Sequence, residues 1–186
     1  MELELEELKQ QSQAILEDTT DLVSGLTEAQ MTWRLRPDSW SITDCLAHLV
    51  TVDGQDLPSL WKAIREGRRN GWLGSGPFSY PWWNGWFVKS MEPPVKRKYK
   101  PPDIYVPRPR PDPGQTVDEF RRVQHDLHHL LTEADGLDLA RIKVAMPAVR
   151  WLKMRLGARL QLISAHDRRH LWQARQVKTA LQSVLA

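Results

Sequence analysis

Four of the six histidines in this chain fall into two His-x-x-x-His pairs, His125 with His129 in HDLHH and His166 with His170 in HDRRH. Residues four apart share a helix face, so either pair offers two imidazoles to one metal ion. Direction separates the pairs. At roughly 100° per residue, His125 and His129 point about 150° or more away from the face made by Phe120, Val123, Leu127 and Leu130, which predicts that they are solvated. The same arithmetic puts His166 and His170 within roughly 40° of the middle of the stripe Leu152, Leu156, Ile163, Val177 and Leu181, facing inward. Burying an unpaired polar group costs a few kcal/mol, and this stripe offers few partners beyond Gln173 and Arg159. Either a metal satisfies both rings, or each is a core histidine bonded to a backbone carbonyl or to Asp44. His48 lies upstream at the border of another apolar face, where a bundle can set it opposite the inward pair.

The elements that must carry these residues read as four amphipathic helices. In the first, Leu5, Leu8, Ser12, Ile15, Thr19, Leu22 and Leu26 recur at three- and four-residue steps, a helical stripe with two polar interruptions. Thr27 with Gln30 suits a short extra turn, and Pro37 and Asp38 then mark a loop. Ser41 with Asp44 caps the second helix, which gathers Ile42, Cys45, Leu49, Val52 and Leu60 on one side as far as Glu66, with Gly54 and Pro58 as points for a kink. Residues 67–114 hold most of the prolines and glycines and show no sustained period, so they read as an irregular crossover. Thr116 with Glu119 is a capping-box signature for the third helix, ending near Gly136. The fourth runs from about Trp151 to about Ser183, with Gly157 as its weak point, and no segment competes as a strand. The expected architecture is all-α, a four-helix bundle in one domain spanning residues 1–186, with a long Pro/Trp-rich crossover between the second and third helices.

The stretch RPDSWSITDCLAHLV, with its Trp, Ser-Ile pair and His, and the later SAHDRRHLWQARQV resemble the DinB-like (DinB/YfiT) superfamily, and the resemblance covers nearly the whole chain. It implies a four-helix bundle in which one histidine of the second helix and a His-x-x-x-His pair of the fourth bind a divalent metal, here His48, His166 and His170. It further implies enzymes that activate a low-molecular-weight thiol for transfer to, or isomerisation of, a small electrophile. Three neutral imidazoles leave coordination positions open, as catalytic sites do, and zinc suits them best, with nickel, iron or manganese as alternatives. The expectation is therefore a metal-dependent transferase or hydrolase acting on a small-molecule substrate, with a homodimer as the family's common assembly. The crossover departs from the pattern in its length and its Trp and Pro content, so pocket residues do not carry over.

Around these three, Gln173 is a candidate to hold metal-bound water or substrate, or else packs in the bundle interior. Cys45 reads as core rather than a fourth ligand, Asp44 as a cap rather than an orienting partner for His48, and Asp53 and Asp167 as peripheral. No carboxylate pair, phosphate loop or Ser-His-Asp set is expected at inward positions, Ser164 pointing roughly opposite His166. The aromatics Trp72, Phe78, Tyr80, Trp82, Trp83, Trp86 and Phe87 must pack over the bundle's own end, cover the metal, or form a dimer surface. Beside them, Lys96, Arg97, Lys98, Lys100, Arg108 and Arg110 with Tyr99 and Tyr105 read as a solvated extended loop sooner than a nucleic-acid strip. A rival reading makes this aromatic and basic crossover a non-catalytic module for a protein or nucleic-acid partner.

The bulk properties fit. The 186 residues are 41% hydrophobic and 26% charged, with a net charge of +3, too mild to argue for nucleic acid. One cysteine excludes an internal disulfide, and the acidic MELELEELKQQ is not a signal sequence, so the cytoplasm is expected, with no membrane partner.

Overall fold

The computed structural model describes residues 3–95, 102–107 and 109–185. Four long helices form the bundle: α1 (Leu3–Val23), α3 (Ile42–Arg69), α5 (Pro113–Glu133) and α6 (Leu156–Leu185). Two short ones, α2 (Glu28–Thr32) and α4 (Trp82–Met91), and a 3-10 turn at Asp103–Tyr105 lie in the connections. Both α1 and α3 pack against both α5 and α6, so the four long helices close a ring in which α3 is flanked by α5 and α6. The all-helical bundle expected from the periodicity is what forms. Among the described residues, no helix is long and apolar enough to cross a membrane.

Local chemistry explains the boundaries. Thr27 and Gln30 form a reciprocal capping box that starts α2, and Ser41 and Asp44 do the same for α3. Each such cap contributes about 1 kcal/mol. Helix α3 continues unbroken past Gly54 and Pro58 to Arg69. Helix α1 stops at Val23, short of Leu26, just before Gly25 at φ +71°. The third bundle helix starts earlier than Thr116 and Glu119 suggest. Its cap is Asp112, whose carboxylate accepts from the Gln115 amide, with Pro113 in the first turn where a missing N–H costs nothing. Thr116 instead donates its hydroxyl to the Asp112 carbonyl.

Two expectations fail. Residues 149–155 are not the start of the last helix but strand β2 (Val149–Arg155), paired antiparallel with β1 (Lys143–Met146). Leu152 thus leaves the helical stripe. In the hairpin Val144 and Met154 are buried while Lys143, Trp151 and Lys153 are exposed, a period-two pattern. The crossover is also not structureless, since α4 lays Phe87, Val88 and Met91 with Tyr80 against Met154, Ala158 and Leu162. A side chain at Gly157 would collide with Tyr80, whose hydroxyl would lie 1.8 Å from the added Cβ, so this glycine is a notch rather than a weak point. Of the aromatic segment, Trp72, Phe78, Tyr80 and Phe87 pack against the bundle's own apolar clusters, while Trp82, Trp83 and Trp86 stay exposed. The basic run Lys96, Arg97, Lys98 and Lys100 with Tyr99, and Arg108, lies outside the described residues.

The apolar core has two main clusters. One holds Leu5, Leu60, Leu130, Leu156 and Leu160, the other Ile15, Leu22, Ile42, Leu46, Phe120 and Leu171. On every long helix a buried polar residue falls between the two sets: Ser12 on α1, Asp53 and Asp56 on α3, Gln124 on α5 and Asp167 on α6.

Candidate metal centre

Helix α3 supplies His48 and helix α6 supplies His166 and His170, and the packing of these two helices brings all three rings together. Ring centroids are 4.6 Å apart for His48 and His170, 4.6 Å for His166 and His170, and 5.2 Å for His48 and His166. One nitrogen from each ring lies within 4.8 Å of the others. His48 and His170 are buried and His166 is partly buried. Trp40 covers the group, its ring 4.9 Å from that of His48 and 5.6 Å from that of His170.

The 3-10 turn fixes the orientation of His48. Its Nδ1–H donates to the Tyr105 carbonyl at 2.7 Å, which leaves Nε2 with a lone pair. That Nε2 is 3.4 Å from Nε2 of His166. This is long for a hydrogen bond but close to the ~3.3 Å expected between two nitrogens each ~2.0 Å from one tetrahedral ion. His170 Nδ1 is buried without a hydrogen-bond partner among the described residues. Burial lowers the pKa of all three rings: His48 against the opposing pull of its Tyr105 bond, His166 far down with help from the neighbouring histidines, and His170 to about 3, against a contact with Gln173. Three uncharged imidazoles, one already tautomerically fixed and one with an orphaned nitrogen, suit a divalent ion, and the cluster could hold one.

The other residues singled out by sequence fall as follows. His125 and His129 are exposed on α5. Cys45 is fully buried among Ile42, Leu46 and Leu49, away from any ligand group, and burial pushes its thiol far up. Asp44 caps α3 and pairs with Arg34. Gln173 is half-buried beside His170. Ser164 faces away from the histidines yet is buried, lining a cavity of about 10 Å³ with Ser12, Gln124 and Asp167.

Asp53 and Asp167 are not peripheral, and an inward carboxylate pair does exist. They are 0% and 1% exposed, and together with a ring nitrogen of His166 they form a second group whose atoms lie within 4.8 Å of one another. Burial raises both carboxyls, Asp53 further through the charges of Asp167 and Asp56, and Asp167 to about 7 against its bond from Gln124. Nearby, Asp56 is buried in an ion pair with Arg159. The signal for this layer was present as polar breaks in apolar stripes. Ser12 showed it on α1, and Gln124 on α5 and Asp167 on α6 repeat it.

Neither a curated protein nor a solved structure matches the chain. A model of the DinB superfamily matches residues 11–174, a span that includes His48, His166 and His170 and all four bundle helices in whole or in part. With the helical bundle and the buried histidine cluster that the match spans, the chain belongs to the DinB superfamily, a metal-binding family.

Proposed function

We propose that the chain is a metal-dependent enzyme acting on a small molecule, with His48, His166 and His170 as ligands of one divalent ion, zinc foremost. The observation that carries this reading is the convergence of three inward imidazoles, two buried and one partly buried, with two Nε2 atoms 3.4 Å apart. When bound, such an ion acidifies a thiol or water and polarises an electrophile, which suits transfer of a low-molecular-weight thiol or a related hydrolysis. The chain's own residues do the rest. Tyr105 holds the His48 ring by its carbonyl, Trp40 shields His48 and His170 from solvent, and Gln173 stands beside His170 where its amide can orient a polar group of the substrate. A cytoplasmic homodimer completes the reading.

Metal analysis of the purified protein tests it, with about one ion per chain expected and His166→Ala losing it. Absence of stoichiometric metal, or unchanged content in His166→Ala, rejects the ligand assignment. A thiol-transfer screen with the metal-loaded protein then separates transferase from hydrolase.

The rival binding-module reading draws on α4, where Trp82 and Trp86 are 82% and 65% exposed. It predicts that Trp82→Ala with Trp86→Ala abolishes partner binding while His170→Ala does not. The enzyme reading predicts the reverse effect on turnover.

A further inference from the structure

Between its two main apolar clusters the bundle carries a polar layer to which each long helix contributes: Ser12, then Asp53 and Asp56, then Gln124, then Asp167. Asp56 is taken up by Arg159. Asp53 and Asp167 are less well provided. Oδ2 of Asp167 accepts from Gln124 Nε2 at 2.8 Å, but apart from a proton shared between the two carboxyls, no donor among the described residues reaches either Asp53 oxygen or Oδ1 of Asp167. Burying such oxygens without donors is costly, so a group that needs acceptors is expected beside them.

His166 is that group. A ring nitrogen of His166 lies within 4.8 Å of an oxygen from each carboxyl. A neutral imidazole that gives one nitrogen to a metal keeps its proton on the other, and that N–H requires an acceptor to fix the tautomer and ring angle. For His48 the Tyr105 carbonyl fills this place. His166, partly open to solvent, has no backbone carbonyl in that role among the described hydrogen bonds.

We propose that Asp53 and Asp167 are the positioning residues of His166, a buried carboxyl pair that receives its N–H and aims its other nitrogen at the metal. This rests on the three-histidine reading above. Gln124, reaching across from α5, holds Asp167 in place and ties a third helix to the centre.

The test uses the full-length chain, with zinc affinity measured by competition against a chromophoric chelator and stability of the metal-free protein measured by urea unfolding. Asp53→Leu and Asp167→Leu remove the acceptors while keeping the forked shape of the side chain. They are expected to weaken zinc binding 10–100-fold and to leave the urea midpoint unchanged or raised, because an under-satisfied buried carboxyl has gone. Asp53→Asn, which keeps an acceptor oxygen, is expected to recover part of the affinity. A purely structural role would instead lower midpoint and affinity together. Should the leucine variants fail to fold, Gln124→Leu with Asp53→Asn carries the test, with the same direction expected. The proposal is overturned if zinc binding depends on His48, His166 and His170 while all carboxyl variants stay within twofold of wild type. It is equally overturned by two zinc ions per chain, the second lost in Asp53→Leu, since the carboxyls would then be ligands themselves. Wild-type protein that takes up no zinc overturns the three-histidine reading, and this inference with it.

Discussion

Cys45 sits on α3 three residues before His48, fully buried, and burial with the adjacent Asp44 carboxylate pushes its thiol far above the usual 9.0. Only the thiolate is nucleophilic, so the folded protein should hide this group from thiol reagents. The expected result is negligible labelling by an aromatic disulfide reagent in native buffer, with no rise between pH 7 and pH 9 where an exposed thiol would accelerate. One equivalent should react in strong denaturant. Rapid native labelling would show that α3 opens at this level. Because the thiol lies among Ile42, Leu46 and Leu49 and belongs to neither group of convergent ligand atoms, Cys45→Ala should also leave metal content unchanged. At this scale the sequence separated the histidine pairs correctly, since helix-face arithmetic needs only a phase. The same arithmetic undervalued Asp53, which lies 140° or so around the helix from His48 and becomes buried only because α5 and α6 flank α3 on both sides.

Elements were legible wherever a local signal set their ends. The capping boxes of α2 and α3 appeared as read, and α5 began where Asp112 and Pro113 stand rather than at the weaker Thr116 signature. The hairpin was not legible, because Leu152 and Leu156 match both a helical step of four and a strand step of two. Burial now decides between them: Met154→Ala should cost about 2–5 kcal/mol in urea unfolding, whereas Trp151→Ala, at an 84% exposed position, should stay within about 0.5 kcal/mol. A helix through this stretch would turn Met154 about 160° away from Leu152 and Leu156 and predict only a small cost there. The notch at Gly157 makes a second prediction. Gly157→Ala should destabilise by about 1–3 kcal/mol, because Tyr80 is held there by its bond to Glu4 at 2.8 Å and cannot withdraw freely. Adding Tyr80→Ala to it should cost less than Tyr80→Ala costs alone, a coupling read from the double-mutant cycle.

Across the whole molecule, the bundle alternates along its length: apolar cluster, polar layer, apolar cluster. Such a layer adds little stability by itself and ties α3, α5 and α6 to one another through a few directional contacts, Gln124 to Asp167 and Arg159 to Asp56. The metal should therefore act as a global stabiliser. Zinc at 100 times its dissociation constant should raise the unfolding free energy by about 2.7 kcal/mol, seen as a higher melting temperature reversed by chelator, and His170→Ala should respond to neither. What the sequence could not yield at this scale was the course of residues 67–114, whose packing depends on long-range partners such as Met154 and Ala158 rather than on any local period.

Tyr105 joins regions far apart in the chain through two different atoms. Its carbonyl accepts from His48, and its hydroxyl accepts from the Ala148 amide at 3.2 Å in the turn between the two strands. The first contact belongs to the main chain and the second to the side chain. Substitution can erase the second but not the first, so the aim of His48 is insulated from point mutation at this position. Tyr105→Phe should speed hydrogen exchange at Ala148 and leave zinc affinity within about twofold. The orientation of a metal-facing ring is thereby entrusted to the one part of a residue that an amino-acid substitution leaves in place.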